Sequence, residues 1–237
     1  MIVLPSDHLI KHNDIFAETF TNACALAEEG ENLVTVGITP NYPETGYGYI
    51  KYDSTAKNGE SYPVQRFVEK PDLETAKQYL ASHRYLWNSG MFVWKASSIL
   101  ANLESLMPDI YAGLERIEAA VGTAEFPSVL ETEYHAFRSE SIDFGVMEKA
   151  ENIYTLPGSF GWDDVGNWLA VERINSTNEY GNYIEGDVIT IGTERSTICG
   201  GKRLIAAVGV EDLIVVDTDD AVLICAKDST QDVKKVI

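Results

Sequence analysis

The sequence predicts an α/β fold followed by a smaller all-β unit, and three observations carry that prediction. Short apolar runs alternate with amphipathic helical stretches through the first part of the chain. Val- and Ile-rich runs then recur at a spacing of roughly nine residues, with Gly and Asp turns between them. The 237 residues include 45% hydrophobic and 10% aromatic side chains, enough to bury a substantial core.

Ile2, Val3 and Leu4 are continuously apolar, stop at Pro5 and read as a buried strand. A helix is expected from about Asn13, where Phe16, Phe20, Ala23 and Ala27 share one face, with Gly30 as its stop. Residues 33–38 form a second buried strand, and strand, helix, strand in this spacing favours a parallel sheet. Residues 39–49 are a turn-rich loop with Pro40, Pro43, Gly46 and Gly48. Residues 63–68 read as a strand, and Asp72 as the N-cap of a helix carrying Leu73, Ala76 and Leu80. Residues 91–94 are a strand, after which Ser97 or Ser98 caps a helix. Ile110, Leu114, Ile117 and Val121 keep helical register, and further helices are expected at 142–149 and 165–174.

From Val188 onward the pattern is β-rich: 188–191, 197–199, 204–208, 213–216 and 222–225. These runs make either a small solenoid-like coil or a meander. The cluster of Asn, Ser, Thr and Gly at 175–182 divides the chain into domains at 1–176 and 177–237.

Eighteen Lys and Arg against 37 Asp and Glu leave a net charge of −19. Such a chain lacks the basic face of a nucleic-acid binder and is repelled by an anionic membrane, so neither is an expected partner. Cys24, Cys199 and Cys225 are odd in number and far apart, which fits a reducing, cytoplasmic setting better than a disulfide framework. The four histidines form no H-E-x-x-H pattern, against a histidine zinc site. The first residues lack the basic and apolar regions of a signal peptide.

Several runs could carry chemistry. Asp7, just past a strand end, sits where open α/β sheets place ligands, although a turn-forming Asp is equally expected there. Gly46-Tyr47-Gly48-Tyr49 can bring backbone N–H groups close to a ligand, or can be an ordinary glycine turn. Glu69-Lys70 at a strand end reads most simply as a solvated ion pair. Trp87-Asn88-Ser89-Gly90-Met91 offers an amide that can both donate to and accept from hydroxyls. Asp163 and Asp164 would, at their simplest, cap the following helix.

Taken together, in this order, these runs are specific. Leu4-Pro5-Ser6-Asp7-His8, Pro43-Glu44-Thr45-Gly46-Tyr47-Gly48-Tyr49-Ile50 and Phe67-Val68-Glu69-Lys70-Pro71 resemble the sugar-1-phosphate nucleotidyltransferases. Trp87-Asn88-Ser89-Gly90-Met91-Phe92, Ser141-Ile142-Asp143 with Val146-Met147-Glu148-Lys149, and Trp162-Asp163-Asp164-Val165-Gly166 resemble the bacterial mannose-1-phosphate guanylyltransferases. The resemblance extends from Ile2 almost to Ile237.

It implies a Rossmann-like (GT-A-like) nucleotidyltransferase domain, N-terminally incomplete, then a small left-handed β-helix-like domain. The implied reaction joins GTP and mannose-1-phosphate into GDP-mannose, releasing pyrophosphate. By the same resemblance, Asp7 and Asp164 hold Mg²⁺ and Lys70 neutralises the sugar phosphate, the three forming the catalytic set. Glu69 and Asn88 hydrogen-bond the mannose hydroxyls, Tyr47 and Gly48 line the sugar pocket, and Ser89 and Asp143 complete the substrate-binding set.

The family's opening glycine-rich loop, with its Arg and Lys, has no counterpart in these residues. The chain is therefore expected to be a fragment, the product of a mis-called start, or a natural half-protein, and weak or inactive alone. A sheet lacking its opening strands would expose an apolar edge and invite homodimerisation or aggregation. The alternatives are a non-catalytic sugar-phosphate-binding or regulatory subunit, or a nucleotidyltransferase for another sugar-1-phosphate.

Overall fold

The computed structural model describes residues 1–236, which fold as two compact units. The first comprises Met1–Ser6 and Ile10–Trp162, and the second comprises Asp7–Leu9 and the chain from Asp163 onward. In chain order the elements begin with β1 (Ile2–Val3), β2 (Leu9–Ile10), α1 (Asn13–Glu28), β3 (Leu33–Ile38), β4 (Tyr49–Tyr52) and β5 (Tyr62–Val68). Then follow α2 (Leu73–Ser82), β6 (Tyr85–Val93), α3 (Ala96–Leu106), α4 (Pro108–Ala120) and α5 (Phe126–Ala136). A π-helical turn at Asp143–Met147, β7 (Ile153–Gly158) and β8 (Trp162–Asp163) complete this stretch.

The main sheet runs β1-β6-β3-β7-β5-β4, with β4 also bonded to β6. It is mixed rather than parallel. β6 is antiparallel to both β1 and β3 and lies between them, so the expected neighbours share a direction without touching. β3 and β7 are adjacent and parallel. β1 is also not buried: it pairs on one side at the sheet margin, leaving Ile2 46% and Leu4 46% exposed. The core forms where Phe20, Ala23, Leu26 and Ala27 of α1 pack on Val34, Val36 and Ile38 of β3, with Trp87, Met91 and Leu156 beside them. A second cluster gathers Phe92, Trp94, Ile99, Met107, Val146 and Met147.

α1 ends at Glu28 with Glu29 as its C-cap, immediately before Gly30, and Asn32 Nδ2 donates to the Leu26 carbonyl at 2.8 Å. Two local expectations change. The N-cap of α3 is Lys95, while Ser98 is buried and donates to Glu31 at 2.6 Å. Residues 142–149 contain a short π-helical turn in place of a regular helix. Asp72 does cap α2, accepting the Thr75 N–H at 2.8 Å.

The second unit holds α6 (Leu169–Ile174), β9 (Tyr183–Glu185), β10 (Val188–Ile191), β11 (Thr197–Cys199), β12 (Ile205–Val208), β13 (Leu213–Asp217) and β14 (Val222–Ala226). The helix expected from Val165 starts only at Leu169, because the preceding residues are spent in tight turns. Consecutive strands alternate between two sheets, β9, β11 and β13 being parallel in one and β10 and β12 parallel in the other. Thr197 faces Ile214 and Val188 faces Ile205, so these coils take 17 residues, the separation that also joins Arg195 to Asp212, while the first, from Tyr183 to Thr197, takes 14. That is the coil; β14 then turns back antiparallel to β13.

Candidate active site

In the first unit, four of the predicted residues meet at one end of the sheet. The Asn88 N–H donates to the Gly48 carbonyl at 2.8 Å, joining the loop before β4 to β6. A Cβ on Gly48 would lie 3.0 Å from Glu69 Oε2 and 3.6 Å from Asn88 Cβ, so a side chain there would press on the Glu69 carboxylate. The Asn88 Nδ2 donates to Asp143 Oδ1 at 2.7 Å.

The sequence builds this through a bulge in β6. Thr35 faces Phe92, yet Gly37 faces Asn88, so β6 carries extra residues between them. Gly90 absorbs the bend at φ +69°. Its N–H donates to Asn88 Oδ1 at 3.1 Å, which fixes the amide so that its nitrogen faces Asp143. Asn88 was expected just before a strand and instead lies inside a nine-residue one.

Ser89 turns away from this cluster. It is 2% exposed; its hydroxyl donates to the Val36 carbonyl at 2.5 Å and accepts the Met91 N–H at 3.2 Å. Tyr47 is likewise enclosed, its ring edge-on to Trp87 and Trp162 within the core cluster.

Glu69 and Lys70 follow β5 directly, with Lys70 Nζ 3.1 Å from Glu69 Oε1. Both side chains reach solvent, so the pair adds little to stability. Lys70 nevertheless sits at φ +31°, an uncommon conformation for a residue with a side chain.

Asp143 opens the π-helical turn, whose Glu148 N–H returns to the Asp143 carbonyl at 2.8 Å. Burial raises its carboxyl pKa and the Glu69 charge adds to the rise, against the pull of the Asn88 N–H. Glu148 is raised by burial and by the charges of Glu69 and Asp143. Three carboxylates thus press on one another in a chain already at −19. In the sequence Glu148 is only one residue of the Val146–Lys149 run; its place beside Asp143 depends on the π turn, which periodicity does not reveal.

In the second unit, Asp7 has an 84% exposed side chain, with His8 Nε2 4.0 Å away. Asp164 Oδ1 accepts the Gly166 N–H at 3.1 Å, while Asp163 accepts the Val165 N–H at 2.8 Å. Neither caps α6, whose N-cap is Trp168. Among the described residues no three His, Cys, Asp or Glu side chains gather to hold a metal by themselves. Asp7 and Asp164 each offer hard carboxylate oxygens, the donor type that divalent cations such as Mg²⁺ take along with water and phosphate.

A mixed sheet ending in a polar carboxylate–amide cluster, followed by a parallel β-coil, defines a class. The nucleotidyl transferase family model matches residues 1–180, and the chain belongs to that family. Residues 186–237 match the MannoseP isomerase/GMP-like beta-helix domain.

More particularly, the chain is 43% identical over 241 residues to a mannose-1-phosphate guanylyltransferase of Escherichia coli (strain K12). It is 44% identical over 238 residues to the xanthan biosynthesis protein XanB of Xanthomonas campestris pv. campestris (strain B100). All of this chain is covered in both cases, and 50% of each relative, so the chain spans about half the length of the curated relatives it matches. Among solved structures, one described as a mannose-1-phosphate geranyltransferase from Thermus thermophilus superposes with a TM-score of 0.87 at 34% identity, covering 99% of this chain and 68% of that one. A Helicobacter pylori structure described as a mannose-6-phosphate isomerase aligns with a TM-score of 0.58 at 32% identity, over 68% of this chain and 62% of that one.

Proposed function

We propose that this chain carries the sugar-phosphate half of a mannose-1-phosphate guanylyltransferase, joining mannose-1-phosphate to the guanylyl group of GTP with release of pyrophosphate. The observation that supports it best is the convergence of Glu69, Asn88 and Asp143 beside Gly48. Sugar hydroxyls donate and accept at once, and a carboxylate–amide–carboxylate row answers both demands. Asn88 keeps a second N–H beyond the one given to Asp143, and Glu69 supplies acceptor oxygens.

Lys70 would leave Glu69 to neutralise the sugar phosphate, which its exposure allows. Asp7 and Asp164 would hold Mg²⁺, whose contribution when bound is to neutralise the phosphates at the α-phosphorus. The phosphate oxygen of mannose-1-phosphate attacks in line, so the protein's task is to hold that ester still and shield charge. Ser89 and Tyr47 serve by packing, Ser89 holding the bulge and Tyr47 walling the loop. No helix among the described residues is long and apolar enough to cross a membrane, and soluble phosphate esters as substrates favour a cytoplasmic enzyme.

The test is pyrophosphate release by the 237-residue chain with GTP, mannose-1-phosphate and Mg²⁺, alongside calorimetry with mannose-1-phosphate alone. Mannose-1-phosphate binding that is lost in Glu69→Gln, with mannose-dependent release that is weak in the chain alone, is the expected result. Binding with no release at all would leave a sugar-phosphate-binding subunit, and neither binding nor release would overturn the reading.

A further inference from the structure

Asp163 and Asp164 are consecutive carboxylates in unlike circumstances. The side chain of Asp163 is 12% exposed. It takes the Arg173 fork on both oxygens, Nε to Oδ2 at 2.8 Å and Nη2 to Oδ1 at 3.0 Å. The same Oδ1 accepts the Val165 N–H at 2.8 Å. Arg173 stands on α6, so the fork ties the turn to a helix of the same unit.

The residue held by this arrangement is strained. Val165 lies at φ +50°, in the left-handed region, where a β-branched residue is an outlier that its surroundings must enforce. Its side chain is 41% exposed, so apolar burial does not account for the conformation. The next link is equally constrained. Asp164 Oδ1 accepts the Gly166 N–H at 3.1 Å, and a Cβ on Gly166 would lie 2.5 Å from Asp164 Oδ2. Two Asx turns in series, with a left-handed valine between them, therefore leave Asp164 little choice of direction.

We propose that Asp163 and Arg173 are positioning residues that hold Val165 left-handed and thereby aim the Asp164 carboxylate. The proposal rests on the reading of Asp164 as a metal-holding carboxylate, but the strained clamp is testable without it. On this view the first aspartate of the pair is an anchor and the second is the working group. Arg173 suits the anchor because its planar fork fixes a direction that an ammonium would not.

The first measurement is thermal unfolding of the full chain, Val165→Gly, Arg173→Gln and the double variant. With the clamp intact, glycine relieves the strain; without it, Val165 relaxes and glycine gains nothing. The Val165→Gly shift should be more favourable in the parent than in the Arg173→Gln background by about 2–4 °C. Equal shifts in both backgrounds would overturn the clamp. Arg173→Lys, which keeps the charge and loses the fork, replaces Arg173→Gln if that variant does not fold.

The second measurement adds Mn²⁺ alone and follows paramagnetic broadening of the Gly166 amide signal, with Asp164→Asn as the reference for loss. A several-fold higher Mn²⁺ concentration for half-broadening in Arg173→Gln supports the aiming role, and an unchanged concentration overturns it. Absence of broadening in the parent overturns the metal reading itself, while the unfolding cycle still decides the clamp.

Discussion

The side-chain amide of Asn88 donates to Asp143 Oδ1 at 2.7 Å, so a bulged strand and a π-helical turn 55 residues apart meet through one charge-assisted hydrogen bond. Burial is the first reason the Asp143 carboxyl is raised, and the Glu69 charge reinforces it. A raised carboxyl pKa means the folded state binds that proton more tightly than the unfolded chain does. Stability from this group is therefore fullest at low pH and declines as pH rises through the folded value. Asp143→Asn keeps the acceptor for Asn88 without the charge. It should raise the melting temperature at pH 7.5 by on the order of 2 °C, with the gain disappearing once pH falls below the ordinary carboxylate range. It should also weaken mannose-1-phosphate binding. Equal melting temperatures at pH 7.5 would contradict this account.

Gly48→Ala introduces a methyl 3.0 Å from Glu69 Oε2, the far end of a flexible side chain that can swing away. Folding should change by no more than about 0.5 kcal/mol, while mannose-1-phosphate affinity falls about tenfold, equivalent to ~1.4 kcal/mol. Calorimetric titration beside thermal unfolding separates the two effects. Unchanged affinity would remove Glu69 from the sugar pocket.

Gly145→Ala probes the π turn. Its Cβ would collide with Met107 Sδ, and both residues are buried. Overpacking there should cost about 1–3 kcal/mol in chemical denaturation. Met107→Ala in the same chain should recover part of that loss, since the two sites share one space. A fully additive double variant would show that the contact is not the cause.

Arg195 spans a corner of the coil, reaching Glu194 at 3.1 Å, Asp212 at 2.9 Å and also Glu211. Its pKa is raised, first by the hydrogen bonds it gives to Asp212 and Glu211. Arg195→Gln leaves three acids together and should lower the melting temperature at low ionic strength. Raising NaCl to molar concentration should narrow the gap, because these groups face solvent. A salt-independent gap would point instead to the left-handed backbone at Arg195, φ +48°.

Residues separated by a few positions in sequence were legible, and those joined by long-range pairing were not. The β-rich spacing located strands now found at Val188–Ile191, Thr197–Cys199 and Ile205–Val208 nearly to the residue. A coil and a meander share that spacing, and only the Thr197–Ile214 register distinguishes them. The apolar stretch at Ile2–Val3 reads the same whether the strand is central or marginal, so its exposure was invisible. In the candidate site, Glu69 and Asn88 stood out by residue type at strand ends. The inward turn of Ser89 follows from the β6 bulge, whose trigger, Gly90 at φ +69°, is one glycine among 18. Asp163 was read as half of a helix cap because the Arg173 that engages it lies ten residues away.

β14 has a consequence for how far the coil can grow. The rungs β9, β11 and β13 repeat by translation, each offering the next the same row of donors and acceptors. Such a row can be extended by a rung from another molecule as readily as by one from its own chain. At Thr218 the chain reverses, its N–H donating to the Ala221 carbonyl at 2.9 Å, and β14 covers β13 with opposite polarity. An incoming strand of the repeating kind then meets an edge whose phase does not match. In this sheet the hairpin acts as a terminator, so that the β13 edge is closed by the chain's own strand rather than left to encounters between molecules.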